Sequence, residues 1–143
     1  SKLYSNDRIF TSIFFGGGTP SLMEPEYLQE IIKHLKINFL VDDRAEITME
    51  TNPGTVDKPK LKKFKDAGFN RISIGIQSFD EEELKFLTRI HDKQTAIQTV
   101  NNAADIGFEN ISVDLIFNLP NQTKEKWINN LKIIVILELV SKL

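Results

Sequence analysis

Gly16, Gly17 and Gly18 follow directly on the run Ser12-Ile13-Phe14-Phe15 and lead into Thr19-Pro20-Ser21. Three residues without Cβ atoms take positive φ at little cost and let a ligand lie against bare peptide groups. A strand that empties into such a segment can hold a polar small molecule at its carboxyl end. A plain Gly-rich turn fits the same residues, so the other strand ends must decide. These carry Glu50 after Ile47-Thr48-Met49, Gln77 after Ile74-Gly75-Ile76, and Asp114 between Val113 and Leu115. A carboxylate within an apolar strand is costly unless it is paired or faces a polar cavity. Each of these residues alone has a structural explanation, such as a helix cap or a satisfied core amide. Together they bring a ligand-competent group from each of four strands to one rim. Arg89 follows one helix later; its guanidinium fork either receives a carboxylate at that rim or pairs with Glu82 or Glu83. His91 reads as a loop residue beside Asp92, without a second metal ligand at useful spacing, since His34 belongs to a distant helix.

The elements that must position these groups alternate between strand and helix periodicity. Residues 12–15 read as a strand that ends in the glycines. Pro25 suits a first helical turn, and Leu28, Ile31, Ile32, Leu35 and Phe39 make the helical stripe behind it. Residues 45–50 form the second strand, broken by Thr51-Asn52-Pro53-Gly54. Asp57 caps a helix that turns Leu61 and Phe64 inward and stops at Gly68. Residues 71–77 form the third strand, with Ile72, Ile74 and Ile76 on one face and Ser73 and Gly75 on the other. Asp80 and Glu83 have the spacing of a capping box for a helix to about Thr88. Asp92 caps a helix carrying Ala96, Val100, Ala103 and Ala104 that ends at Gly107. Residues 111–117 form the fourth strand, and Thr123 caps a last helix with Trp127, Leu131 and Ile134 facing inward. Alternation with short connections argues for an α/β fold with a parallel sheet, its strand carboxyl ends on one side. Four strands are too few to close a barrel, so the expected architecture is a partial (β/α) barrel.

Composition narrows the partners. The 143 residues carry a net charge of -2, with 41% hydrophobic and 27% charged side chains, which offers no general attraction to nucleic acid or to an anionic membrane. The local run Lys58, Lys60, Lys62, Lys63 and Lys65 alternates with Leu61 and Phe64 and reads as a solvated helix face. There is no cysteine, hence no disulfide, no thiolate metal site and no cysteine nucleophile. The longest apolar stretch, Ile133-Ile134-Val135-Ile136-Leu137, is cut by Glu138, well short of the ~20 residues a spanning helix needs. A cytoplasmic location is the expectation, and the initial Ser1 suggests an internal piece of a longer chain.

Four segments then carry a resemblance: Gly16-Gly17-Gly18-Thr19-Pro20-Ser21, Glu50-Thr51-Asn52-Pro53-Gly54, the run from Gly68-Phe69-Asn70-Arg71 to Gln77-Ser78-Phe79, and Asp114-Leu115-Ile116-Phe117-Asn118-Leu119-Pro120. In this order they resemble the radical S-adenosylmethionine core of oxygen-independent coproporphyrinogen III oxidase and its relatives, over roughly residues 9–132. The resemblance implies that the whole chain, 1–143, is one incomplete core domain of that kind. It implies that Gly17, Gly18 and Thr19 line the S-adenosylmethionine site. It further implies that Glu50, Gln77, Arg89 and Asp114 touch the ribose and amino-acid ends of that cofactor. Family chemistry would be one-electron cleavage of the sulfonium by a [4Fe–4S] cluster, giving a 5′-deoxyadenosyl radical that takes hydrogen from a substrate. In the oxidase that substrate is a porphyrinogen propionate, which decarboxylates to a vinyl group; in the haem chaperone branch the ligand is haem. Thr88-Arg89-Ile90-His91 and Asn52-Pro53-Gly54 look more like the chaperone branch.

Two departures from the family pattern shape the expectation. The family holds its cluster with three cysteines spaced C-x₃-C-x₂-C upstream of the triple glycine, and this chain has none. The chain by itself is therefore expected to be inactive as a radical enzyme, with no catalytic or metal-binding residue of its own. Residues 133–143 read apolar on all sides, where the family continues with further barrel strands. Open sheet edges would then favour missing barrel segments or self-association. Two readings outside enzymology stay open: a non-catalytic module that binds S-adenosylmethionine or haem, and an unrelated phosphate binder using the glycines as an anion nest. The nest requires a helix to start directly after the glycines, where Thr19-Pro20-Ser21-Leu22-Met23 stands instead.

Overall fold

Ile72, Ile74 and Ile76 are each 0% exposed, which places every second residue of one strand in the centre of the core. In the computed structural model, which describes residues 8–140 and side chains through 137, that strand is β3 (Arg71–Gln77). It lies between β2 (Val41–Thr51) and β4 (Asn110–Leu115), and β1 (Phe10–Phe15) pairs with β2 on the far side. All three pairings are parallel, in the order β1-β2-β3-β4. Parallel neighbours need a crossover. These are supplied by α1 (Pro25–Asn38) after a 3-10 turn at Pro20–Leu22, by α2 (Lys58–Asp66), and by α3 (Glu81–Phe86) with α4 (Lys93–Ile106); α5 (Lys124–Val140) follows β4. The fold is α/β, a parallel sheet curved as part of a barrel.

The core lies between one sheet face and the helices. Ile47, Met49, Ile72, Ile74 and Ile76 meet Leu28 and Ile32 of α1, Leu61 and Phe64 of α2, and Ala96, Val100 and Ala103 of α4. Phe69, just before β3, stands edge-on to Phe15 at 5.1 Å and to Phe64 at 6.1 Å between ring centroids. The opposite face alternates to polar: Thr48 and Glu50, then Arg71, Ser73 and Gln77, then Ser112 and Asp114. Because all strands run the same way, Glu50, Gln77 and Asp114 fall near the same edge.

The caps follow the sequence at three helices, with Thr123 Oγ1 accepting from Lys126 N at 3.2 Å at the start of α5. Asp57 accepts from Lys60 N at 2.8 Å and Asp92 from Thr95 N at 2.7 Å, while Gly107 closes α4 with φ 92°. At α3 the expected capping box is only half made. Asp80 accepts from the amides of Glu82 and Glu83, but Glu83 turns inward to Ser78, and Asp80 N donates to Ser78 Oγ. The helix also stops at Phe86, ahead of the expected Thr88, which takes φ 54°. β2 runs longer than expected at both ends. β4 ends at Leu115 and not at Phe117, because β3 has ended beside it: Ile116 N donates to Gln77 O as the last rung, and Phe117 is 72% exposed.

The last helix is rotated from the expected stripe. Leu131 is exposed and Trp127 only half-buried, while Asn130 and Leu137 are buried and Ile133 and Ile134 pack on the core. The polar Asn130 takes the inward position because the loop after β3 supplies its partners. The apolar stretch from 133 onward continues α5, with Val135 and Ile136 exposed; its remainder falls outside the described side chains. Among the described residues, no helix is long and apolar enough to cross a membrane. The lysine run of α2 faces outward, with Lys58, Lys62 and Lys63 paired to Asp105, Asp66 and Glu26.

Candidate functional site

At the carboxyl edge of the sheet, Gly17 and Gly18 adopt φ of 78° and 61°, which L side chains rarely take. This bends the chain back over the end of β2, where Gly17 N donates to the Glu50 carboxylate at 3.1 Å. Thr19 Oγ1 accepts from Asn52 Nδ2 at 3.2 Å, and Asn52 Oδ1 in turn accepts from Arg89 Nη1 at 3.3 Å. Asn52 thus pins the arginine that arrives after α3 to the loop that leaves β1. The two readings of Arg89 are separated here. Glu82 pairs with Lys126 at 2.7 Å and Glu83 is buried with Ser78, leaving Arg89 directed to the rim.

Gln77 reaches the same place through backbone irregularity. The β3–β4 register shifts between Ile74 and Gln77, and Gln77 takes φ 72°, an uncommon value for a residue with a side chain. A bulge re-aims a side chain, here towards the strand ends. Gly75 makes room for it: a Cβ there would lie 2.8 Å from both Asn52 Oδ1 and Gln77 Nε2. Asp114, exposed on the polar face, accepts from Ser73 Oγ at 3.0 Å.

Gly18, Thr19, Glu50, Gln77, Arg89 and Asp114 border one cavity of about 240 Å³. Gly17 stands at its edge and holds Glu50. Sequence reasoning did not single out Asn52, Ser73 and Gly75, which line the same cavity. Ser73 and Gly75 carried a signal, sharing the face of Gln77 by the period of two. Asn52 carried none, because a turn Asn before Pro53 reads as punctuation. The formal charge of the lining is two carboxylates and one guanidinium, -2 + 1 = -1. The glycines are followed by the 3-10 turn, and α1 starts only at Pro25, so they form no anion nest at a helix start.

His91 is buried beneath this rim. Its Nε2 lies 3.1 Å from Ile76 O, and since a carbonyl only accepts, Nε2 carries the proton. Nδ1 is buried without a partner, and burial, with the Arg89 charge a lesser cause, holds the imidazole below its usual range. The unfolded chain therefore takes up a proton near pH 6.5 that the folded chain refuses. Stability should be level above about pH 6.5 and fall as the pH drops from there towards the folded value. Urea midpoints at stepped pH, compared with His91→Gln, check this; a wild-type profile no steeper than the variant's would contradict it.

The family model described as the Radical SAM superfamily matches residues 2–134. The chain belongs to the radical SAM superfamily. The Haemophilus influenzae haem chaperone HemW is 44% identical over 121 residues, covering 85% of this chain and 32% of that protein. A zebrafish (Danio rerio) protein, radical S-adenosyl methionine domain-containing protein 1, mitochondrial, is 44% identical over 126 residues, covering 88% of this chain and 28% of its own. The solved coproporphyrinogen III oxidase of Escherichia coli superposes with a TM-score of 0.82 at 33% identity, over 91% of this chain and 30% of that one. This radical SAM chain spans about a third of the length of the curated relatives it matches.

Membership implies S-adenosylmethionine (SAM) and a [4Fe–4S] cluster as cofactors of the family in general. The cavity fits SAM by charge. The ligand carries two cationic groups, sulfonium and ammonium, and one carboxylate, the mirror of the lining. The bare, positive-φ glycines leave its backbone edge open, with nothing within 4 Å of a Cβ at Gly17 or Gly18. The cluster does not fit these residues: the chain has no cysteine, and no cluster of His, Asp or Glu suited to a metal occurs among the described residues.

Proposed function

We propose that this chain is the SAM-binding part of a radical SAM protein of haem or porphyrin metabolism, in the haem chaperone branch. The observation that carries it is the convergence of four strand ends on one charge-matched cavity. Gly17, Gly18 and Thr19 would receive the ligand against backbone. Arg89, steadied by Asn52, would take the ligand carboxylate, and Glu50 the ammonium. Asp114 and Gln77 would hold the ribose hydroxyls. When bound and reduced by a cluster, SAM supplies one-electron hydrogen-abstraction chemistry. What this chain contributes is orientation at a charged rim, with the thiolates for a cluster coming from outside its own residues. In this reading the 143 residues form one incomplete core domain and do not turn over alone. The small-molecule ligand of the complete assembly would be haem or a porphyrinogen.

Identity favours the chaperone branch: 44% to the Haemophilus influenzae haem chaperone HemW against 34% to the Salmonella typhimurium oxygen-independent coproporphyrinogen III oxidase. Titration calorimetry with SAM tests the core of the proposal. Saturable one-to-one binding, lost in Arg89→Ala, is the expected result; an absence of SAM heat with a folded chain would overturn it. A Soret shift on adding haem, and no calorimetric binding of coproporphyrinogen under anaerobic conditions, would support the chaperone branch. The reverse pattern would move the chain to the oxidase.

A further inference from the structure

Four side chains of β3 and β4 form a hydrogen-bonded zigzag that reaches the cavity from the amino end of the sheet. Arg71 Nη2 donates to Ser112 Oγ, Ser112 Oγ donates to Ser73 Oγ, and Ser73 Oγ donates to Asp114 Oδ2, each at 3.0 Å. The register builds this directly. Ser73 stands opposite Ser112 and Arg71 opposite Asn110, so the bonds run straight across or one diagonal step towards the strand ends.

The direction of donation is forced from both ends. A guanidinium only donates, a carboxylate only accepts, and each serine hydroxyl has one proton. If Ser73 turned its proton to Ser112, Asp114 Oδ2 would lose its donor and Ser112 would have to find another acceptor. The guanidinium is itself held on its other side, by Thr48 Oγ1 at 3.4 Å and the Glu46 carboxylate at 3.8 Å. A fixed cation thus sets the polarity of two hydroxyls, and these set one oxygen of a carboxylate. Oδ1 of Asp114 makes no hydrogen bond among the described residues and is left for a ligand.

We propose that Arg71, acting through Ser112 and Ser73, is a positioning residue that orients Asp114 for the hydroxyls of the bound cofactor. This rests on the reading of the cavity as a SAM site. Lysine keeps the charge at position 71 but lacks the planar fork that spans Thr48 and Ser112 at once. Alanine at 112 breaks the relay, and threonine restores it.

The test titrates SAM into the chain and into Arg71→Lys, Ser112→Ala, Ser112→Thr, Asp114→Asn and the Arg71→Lys/Asp114→Asn double variant. Arg71→Lys and Ser112→Ala should each weaken binding about fivefold, with Ser112→Thr close to the wild type. In the Asp114→Asn background, Arg71→Lys should cost less than about twofold, because the group it acts through is gone. Equal losses in both backgrounds, or no loss at all, would overturn the relay. Should Arg71→Lys not fold, the Ser112 pair carries the same comparison. Wild-type chain that binds no SAM would instead refute the cavity reading. The relay is then read from the ¹³Cγ resonance of Asp114 without ligand: a shift in Ser112→Ala and none in Ser112→Thr is expected, and an unmoved resonance in both overturns it.

Discussion

Glutamine in place of Glu50 should weaken SAM binding by about 1.5–3 kcal/mol, roughly 10- to 150-fold in Kd, with little change in melting temperature. The substitution isolates charge. Glutamine has nearly the same shape, and its carbonyl oxygen can still accept from Gly17 N, which now lies 3.1 Å from the carboxylate. The bend over the strand end therefore survives. What disappears is the negative charge that a ligand ammonium would meet in a half-enclosed site, where a hydrogen bond to a charged group is worth about twice a neutral one. The lining then changes from a formal -1 to 0 and no longer mirrors a ligand with two cationic groups and one carboxylate. Calorimetry at low and high salt separates this from a distant field effect. A specific contact keeps most of its loss at high salt, whereas a general attraction is screened. An affinity for Glu50→Gln within twofold of the wild type, or about so, would remove Glu50 from the site.

The parts of the fold and site that were legible are those written in a local period. Ile72, Ile74 and Ile76 announce β3 because two-residue alternation has no other stable reading, and the same period put Ser73 and Gly75 on the opposite face. Asp57 and Asp92 announce their helices because a short acceptor side chain reaches the free amides three residues on. What stayed hidden depends on residues far apart in sequence. The α3 capping box failed because Ser78, Gln122 and Asn130 offer Glu83 better partners than the amide of Asp80. Gln77 enters the cavity through a bulge and a positive φ, neither of which has a one-letter signature. Arg89 had two plausible partners along the chain, and the choice fell to Asn52, 37 residues away. The α5 stripe was misjudged for the same reason, since hydrophobic periodicity cannot place a polar residue inward.

That inward residue is the second large effect. Alanine at position 130 should destabilise the chain by about 2–4 kcal/mol and lower its Tm by roughly 10 °C. Asn130 is 0% exposed. Its Oδ1 accepts from Phe79 N at 2.9 Å, and its Nδ2 donates to Ser78 Oγ at 3.2 Å and Glu83 Oε2 at 3.3 Å. Truncation leaves a buried amide without an acceptor and removes a donor from a carboxylate that is itself 4% exposed. Both are costs of an unmade bond, which exceed the small net gain of a made one. The network also ties α5 to the segment joining β3 and α3, so its loss loosens the backbone that follows Gln77. Aspartate separates polarity from volume. Asn130→Asp fills the same space and still accepts from Phe79 N, but it sets a second carboxylate against Glu83 in a buried site, where like charges cannot both be ionised cheaply. It should be at least as destabilising as alanine at neutral pH and recover as the pH falls. An Asn130→Asp chain that melts like the wild type at neutral pH would mean that packing alone holds α5 in place.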